Sequence, residues 1–474
     1  MPRKTIKTSF LMGLLLLSSS ALGQTSLPSA AERAALLAAS NQERAREMKL
    51  LGIAEMRPPL SAYDIGKPGN ANYDEALANP YSSIPELMVM RNGAKVTTAA
   101  GWQKRRAELK RLFDDNVYGR YPARIPKITW HVDGTETMEV QGVPAVVKRV
   151  TGHVDNSAYP AITVDIKLEV VTPAATKGRK VPVIMGGGLV RPRPPRPAPV
   201  PGQPVHLLSA PEDIPDSAKL LLDKGWGFVT VNNNDVQADN GAGLDKGIIG
   251  LVNKGQPRSL KDWGVLRAWA WSDSKALDYL QTDPDVNGKA VGIMGHSRGG
   301  KAALVAMVDD PRFAIGFISS SGAGGAAPYR RNYGESTANI TAPNEFHWFA
   351  GSFLKYGAVG HTANEMPVDS HEFIALVAPR PVFIGGGALI TDPDYAPGDA
   401  WQDAQGMFMA AAAASPAWEI QGHKGLGTSS FPAMGTLIDS GEVAFRQHQY
   451  GHTPAPNWPA FIQFAARYLK TRNR

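Results

Sequence analysis

The 474-residue chain contains no cysteine. That excludes a disulfide scaffold, an iron–sulfur or cysteine-zinc site, and a thiol nucleophile. Charge is sparse, at 20% of residues, while 43% are hydrophobic, so the composition is that of a folded protein rather than a disordered one. Long apolar runs are absent beyond the first residues, so no later stretch reads as a membrane span. The formal net charge is +7, but Arg3, Lys4 and Lys7 carry three of those cations within the first eight residues. What remains is diffuse, which argues against nucleic-acid binding. The 48 glycines and 37 prolines follow no period, so a collagen-like repeat is excluded and many turns are expected.

The first residues read as a targeting segment. A basic start, a short apolar core Ser9 to Leu17 and the small residues Ser18 to Gly23 form the three parts of a secretory signal peptide. Cleavage near Gly23 is expected, which places the mature protein outside the cell or in a periplasm, with no membrane attachment. Residues 24–98 then read as an N-terminal arm and loop segment, with a helix over Ala30–Leu51. A dense basic stretch, Arg191 to Pro197, alternates Arg with Pro and reads as a stiff loop.

Residues 99–474 read as one catalytic domain. An amphipathic helix is expected over Trp102–Asn116. Alternating runs at Ile128–Val132, Val143–Val150 and Ile162–Val171 indicate antiparallel strands. From there, short apolar runs alternate with helical stretches. Strands are expected at Val181–Met185, Gly227–Asn232, Ala290–Met294, Phe313–Ser319, Pro381–Gly385 and Ala417–Ile420. Helices are expected at Ser217–Lys224, Trp263–Leu280, Gly300–Asp309 and Asn457–Leu469. Such alternation calls for a mostly parallel sheet covered on both faces. An antiparallel start with a parallel body points to an α/β-hydrolase fold.

Within it, Ala290 to Leu304 carries an apolar strand, Gly295-His296-Ser297-Arg298-Gly299 and a helical pattern. A Gly-x-Ser-x-Gly between strand and helix is a nucleophile elbow, which lifts Ser297 above the sheet's carboxyl edge. Gly295 and Gly299 would permit the tight turn, and the backbone N–H of Arg298 would face an oxyanion. A serine hydroxyl needs a histidine base oriented by a carboxylate. In this fold the order is Ser, acid, His. His452 stands in a turn just before the last helix, where the base is expected. His423 and His448 are competitors, and His371 comes too early and reads as structural. The acid is expected on the loop after Pro381–Gly385. That loop carries Asp392, Asp394, Asp399 and Asp403, and position alone does not choose among them.

These residues resemble the glucuronoyl esterases, a carbohydrate-esterase family. Gly295 to Lys301 fits the family's Gly-x-Ser-Arg-x-Gly-Lys elbow in full. Trp263 to Trp271, Ser321 to Gly325, Arg330 to Glu335, His347-Trp348-Phe349 and Leu376 to Val382 also match, so the likeness spans roughly residues 85–470. It implies that Arg298 stabilises the oxyanion through its guanidinium as well as its backbone. It also implies that Lys301, Glu335 and Trp401 meet the uronic acid. Many members carry a Glu where this chain has Ser320. Others place the acid in a late acid-x-Trp unit, which Asp399-Ala400-Trp401 fits, and this selects Asp399. The implied substrate is an ester of (4-O-methyl)glucuronic acid in glucuronoxylan or a lignin–carbohydrate linkage, cleaved by a monomer without metal or cofactor. An acetyl-xylan or other carbohydrate esterase, and a non-catalytic glycan-binding relative, are the competing readings.

Overall fold

Short runs of apolar residues, buried on both faces, build the parallel half of the sheet. The protein is described here by a computed structural model covering residues 29–62, 65–80, 83–186, 216–388 and 398–470. The expected signal segment, the Arg/Pro-rich stretch 191–204, Asp392 and Asp394 therefore lie outside the described residues.

The strands are β1 (Ile128–Val140), β2 (Val143–Val154), β3 (Asp165–Pro173), β4 (Val181–Met185), β5 (Gly227–Val231), β6 (Val286–His296), β7 (Ile315–Ser319), β8 (Val382–Gly386) and β9 (Val443–Gln447). They form one nine-stranded sheet in the order β1-β2-β3-β5-β4-β6-β7-β8-β9. Pairs from β1 to β3, and β3 with β5, are antiparallel. From β5 through β9 every pair is parallel. The period of two sends Val183, Met185 and Ile293 to one face, under the helices Val265–Leu280 and Arg298–Asp309. It sends Ile184, Met294, Phe317 and Phe383 to the other, under Ser217–Asp223 and Trp458–Ala465. This is the mostly parallel sheet with an antiparallel start that the alternation of runs predicts.

One expected strand is corrected. Ala417–Ile420 is not extended: Pro416–Glu419 is a helical turn that continues from the helix Ala404–Ala414. Pro416 at the first helical position is pre-organised for that conformation. The last strand comes later, at Val443–Gln447, hydrogen-bonded to β8. This moves His423 off the end of a strand and into a surface loop.

The N-terminal helix Ala30–Leu51 starts with a Ser29–Glu32 capping box and stops at Gly52 in the left-handed region. It docks through a fully buried ion pair, Glu47 to Arg258 at 2.8 Å. Arg258 also donates to the carbonyls of Phe349 at 2.7 Å and Trp263 at 3.2 Å. Ser40 accepts from the N–H of Ala242 at 3.1 Å. The arm's helix thus supports two loops that reach the sheet's carboxyl edge.

Candidate active site

β6 ends at His296 and a helix begins at Arg298, which leaves Ser297 alone at the bend with φ 58° and ψ −130°. A side chain bearing φ above zero is strained by roughly 1–3 kcal/mol, a cost that persists where surrounding structure enforces it. Here the Ser297 N–H is fixed by the Ser319 carbonyl at 2.9 Å. Its own carbonyl accepts from Gly300 at 2.8 Å and Lys301 at 3.1 Å. The first N–H groups of the helix, those of Arg298 and Gly299, have no intrahelical acceptor by construction. Of the motif's two glycines, only Gly295 is sterically required: a Cβ there would meet the Gly299 carbonyl oxygen at 2.0 Å. Gly299 has open space, whereas a Cβ on Gly300 would press on the Ser319 carbonyl oxygen at 2.8 Å.

Asp399 and His452 meet at the same edge. Nδ1 of His452 lies 2.6 Å from Oδ1 of Asp399. The pairing assigns the proton to Nδ1 and leaves Nε2 as the ring's basic nitrogen. Asp399 is fully buried, and its Oδ2 accepts from the Ser320 hydroxyl at 2.6 Å and from the Gly387 N–H. Burial by itself would raise this carboxyl. The hydrogen bonds from His452, Ser320 and Gly387, together with the attraction of His452, outweigh it and hold the pKa below the ordinary value. The His452 ring lies 4.3 Å, centroid to centroid, from His296, the residue preceding Ser297. Burial, and then His452, push His296 down to about 3, so it stays neutral beside the His452 ring.

The competing residues have other partners. His448 is buried, with Nε2 against the Thr453 carbonyl at 2.8 Å and Nδ1 accepting from the Tyr450 N–H at 3.1 Å. Both nitrogens are thus used to shape the turn that carries His452. His423 is exposed and lies 3.6 Å from Glu442. His371 is buried against the Pro85 carbonyl at 2.9 Å. Asp403 caps the helix Ala404–Ala414 through Gly406 at 2.8 Å and pairs with Arg331 at 2.7 Å. Among the described candidates, Asp399 alone reaches a candidate base.

Two of the remaining expected residues, Arg298 and Lys301, stand on the helix that follows Ser297, and Lys301 reaches a third, Glu335. Lys301 is buried, and its three N–H groups go to the Ser321 carbonyl at 2.7 Å, the Ala323 carbonyl at 2.6 Å and Glu335 Oε2 at 2.6 Å. Its donors are therefore satisfied within the protein, and it fixes the Glu335 carboxylate. Trp401 is half-buried, and its carbonyl accepts from the Glu335 N–H at 2.9 Å, which joins the two loops. The exposed Arg298 side chain forms an ion pair with Asp239 and stands 5.6 Å from the centre of the Trp348 ring.

Sequence reasoning passed over two acids here. Asp239 meets Arg298, His347 and Trp348. Among the described residues the buried Oε2 of Glu345 has no partner, and burial, then the charge of Glu335, raise it to about 8 against the opposing pull of Lys301 and Arg298. Glu345 stands two residues before the His347-Trp348-Phe349 run, and that proximity was its only signal. A separate cavity of about 680 Å³, lined by Tyr121, Trp130, Trp271 and Asp309, opens at the other end of the helix Arg298–Asp309. At 1.5 Å per residue that is roughly 18 Å from Ser297 along the helix, so it is not part of this site.

Known proteins share this arrangement's chain. The model of the family described as "Glucuronyl esterase, fungi" matches residues 213–422. A carbohydrate esterase of an unknown prokaryotic organism is 31% identical over 443 residues, covering 85% of this chain and 93% of its own. The solved CE15 glucuronoyl esterase of Teredinibacter turnerae is 37% identical with a TM-score of 0.80, over 90% of this chain and 99% of its own. The chain belongs to the glucuronoyl esterase family. It is a carboxylic ester hydrolase with the α/β-hydrolase fold of CE15 esterases. More distantly, the 4-O-methyl-glucuronoyl methylesterase of Schizophyllum commune is 25% identical, over 79% of this chain and 81% of its own. As for the membrane, no described helix of this esterase is long and apolar enough to cross one.

Proposed function

We propose that this esterase hydrolyses esters of (4-O-methyl)glucuronic acid through a serine acyl-enzyme, its natural target being the ester between lignin alcohols and the glucuronoyl side chains of xylan. The observation that carries this reading is the Asp399–His452 hydrogen bond, 2.6 Å long, at the edge where Ser297 is held in a strained turn. The names of the relatives supply the acid half of the ester. We also propose that residues 1–23 direct export and are removed, so that the enzyme acts in a periplasm or outside the cell, where the polysaccharide is.

In this scheme Oγ of Ser297 attacks the ester carbonyl carbon while Nε2 of His452 takes its proton. Asp399 stays ionised and stabilises the imidazolium. The oxyanion that forms is met by the Arg298 backbone N–H and its guanidinium, a fixed cation that favours the transition state over the neutral ground state. The tetrahedral species collapses, the proton passes from His452 to the leaving alcohol, and the glucuronoyl group remains on Ser297. Water, deprotonated by the same histidine, then releases the uronic acid. Glu335, held by Lys301, and the half-buried Trp401 present a carboxylate and an indole to the sugar. A sugar hydroxyl gains Lys301 only by displacing one of its carbonyl partners.

Hydrolysis of benzyl glucuronate by the wild type and by Ser297→Ala tests the scheme. Loss of activity in the variant, with a transient wild-type mass increase of one glucuronoyl group, is the expected result. Unchanged activity of Ser297→Ala would overturn it. Faster hydrolysis of a simple acetate ester than of the glucuronate would instead assign an acetyl esterase.

A further inference from the structure

The run His347-Trp348-Phe349 marks the family likeness, yet its rings do not point their N–H groups at a sugar. Trp348 donates through Nε1 to Oδ1 of Asp239 at 2.7 Å, and Nε2 of His347 lies 3.0 Å from the same oxygen. The other oxygen of Asp239, Oδ2, takes Nη1 of Arg298. We propose that Asp239 is a positioning residue for ester hydrolysis, which aims the Arg298 guanidinium at the developing oxyanion. The proposal rests on the reading that Arg298 stabilises that oxyanion.

Four observations support it. First, the arginine is the member of the pair that needs holding. Its side chain is 53% exposed, against 19% for Asp239. A free arginine carries about 2 kcal/mol of rotamer entropy and would sample many directions.

Second, Asp239 is itself fixed before any substrate arrives. His347 is fully buried and Trp348 nearly so. Among the described residues the buried Nδ1 of His347 has no partner, which fits a neutral ring whose proton sits on Nε2, facing Asp239. Burial lowers the pKa of His347 in the same sense. Burial would raise Asp239, but the hydrogen bond from His347, then the charge of Arg298 and the hydrogen bond from Trp348, hold it below the ordinary carboxylate value, so the carboxylate is charged.

Third, the guanidinium is bounded on a second side by the Trp348 ring, at 5.6 Å from its centroid. A carboxylate and an aromatic face together define a direction, where either alone would define a cone. Among the described residues one N–H of five is used, and the others remain for an oxyanion.

Fourth, the clamp has a rigid backing. Arg258 holds the Phe349 carbonyl at 2.7 Å and is itself locked by the buried Glu47. A Cβ on Gly241, two residues after Asp239, would meet the Phe346 ring at 2.6 Å, so the two segments are in close contact.

An exposed ion pair adds little to stability. A fixed cation is worth more to a transition state than a mobile one, because no reorganisation is needed when charge develops. The effect of Asp239 should therefore fall on kcat, with KM nearly constant.

The experiment is a double-mutant cycle on benzyl glucuronate with Asp239→Asn, Arg298→Ala and the combined variant, each checked by thermal melting. Asparagine retains an oxygen for His347 and Trp348 while removing the charge that holds Arg298. The expected result is a fall in kcat of about ten-fold for Asp239→Asn with KM within two-fold, and no further fall when Arg298 is already alanine. Trp348→Phe, which keeps the ring and deletes one donor to Asp239, should show a smaller fall that is likewise absent in the Arg298→Ala background. An unchanged or increased kcat in Asp239→Asn, or losses that multiply independently of Arg298, would overturn the proposal. If Arg298→Ala itself kept wild-type kcat, the oxyanion role of Arg298 would fail first, and the role of Asp239 with it.

Discussion

The hydroxyl of Ser320 donates to Asp399 at 2.6 Å, on the carboxylate whose other oxygen meets His452. Ser320 follows β7, and Asp399 belongs to the loop after β8. Ser320 thus anchors a carboxylate that comes from the neighbouring loop. Hydrogen bonds to a charged group contribute about 1.5–3 kcal/mol. Ser320→Ala is therefore expected to lower kcat by no more than about 100-fold, since His452 and Gly387 still hold the carboxylate. Asp399→Asn should cost about 10⁴-fold, because the imidazole loses its enforced tautomer. Steady-state hydrolysis of benzyl glucuronate measures both. Losses of equal size would shift the essential role to Ser320.

Lys301 and Glu335 form an ion pair with both side chains almost entirely buried, at 2.6 Å. Removing one member leaves the other charge unpaired in the interior, which costs about 3–5 kcal/mol. Lys301→Met should lower the melting temperature sharply. Adding Glu335→Gln should restore part of it while leaving KM for the glucuronate raised. Calorimetry and kinetics on the same pair of variants separate stability from substrate binding.

Asp273 is a buried carboxyl that accepts a hydrogen bond from the Asn233 amide at 3.2 Å. Burial raises it to about 7, with Asn233 opposing. The folded chain therefore holds this proton more tightly than the unfolded chain does. Stability is lost as pH rises from about 4 toward 7. Asp273→Asn is expected to melt above the wild type at pH 8 and at the same temperature near pH 4. Melting curves at the two values check the sign, and a variant less stable at pH 8 would contradict it.

Gly322 has φ +55°, and a Cβ there would meet Gln402 Oε1 at 2.3 Å and Glu335 Oε2 at 2.5 Å. Gly322→Ala should raise KM more than it lowers kcat, by pushing Glu335 off its seat against Lys301. A crystal structure or kinetic split of the variant tests this, and an unchanged KM would show that Glu335 does not meet the sugar.

Much of this was legible in the chain itself. β4 spans the predicted Val181–Met185 because a strand buried on both faces is a continuous apolar run with sharp ends. The elbow was legible because its turn needs glycine and its neighbours need apolar side chains. Ala417–Ile420 misled because a short apolar run fits a helical turn as well as a strand. The true last strand, Val443–Gln447, ends in Arg and Gln and is less apolar. Asp239 could not be read, because its partners lie 59, 108 and 109 residues away and only the fold brings them to it. Gly299 was over-read, since a motif position does not say whether a Cβ would fit.

The docking of the N-terminal helix has a consequence for the order of assembly. Its Glu47 finds Arg258 across 211 residues of chain, and Arg258 then holds the carbonyl of Phe349. Contacts of such separation form slowly, because the intervening chain must first be brought together. The segment synthesised early is thus expected to be among the last to find its place, and the wall behind Arg298 to close only when it does. The sheet and the serine turn can be complete while the wall behind Arg298 is still open, so the gain of activity during refolding should trail the gain of secondary structure.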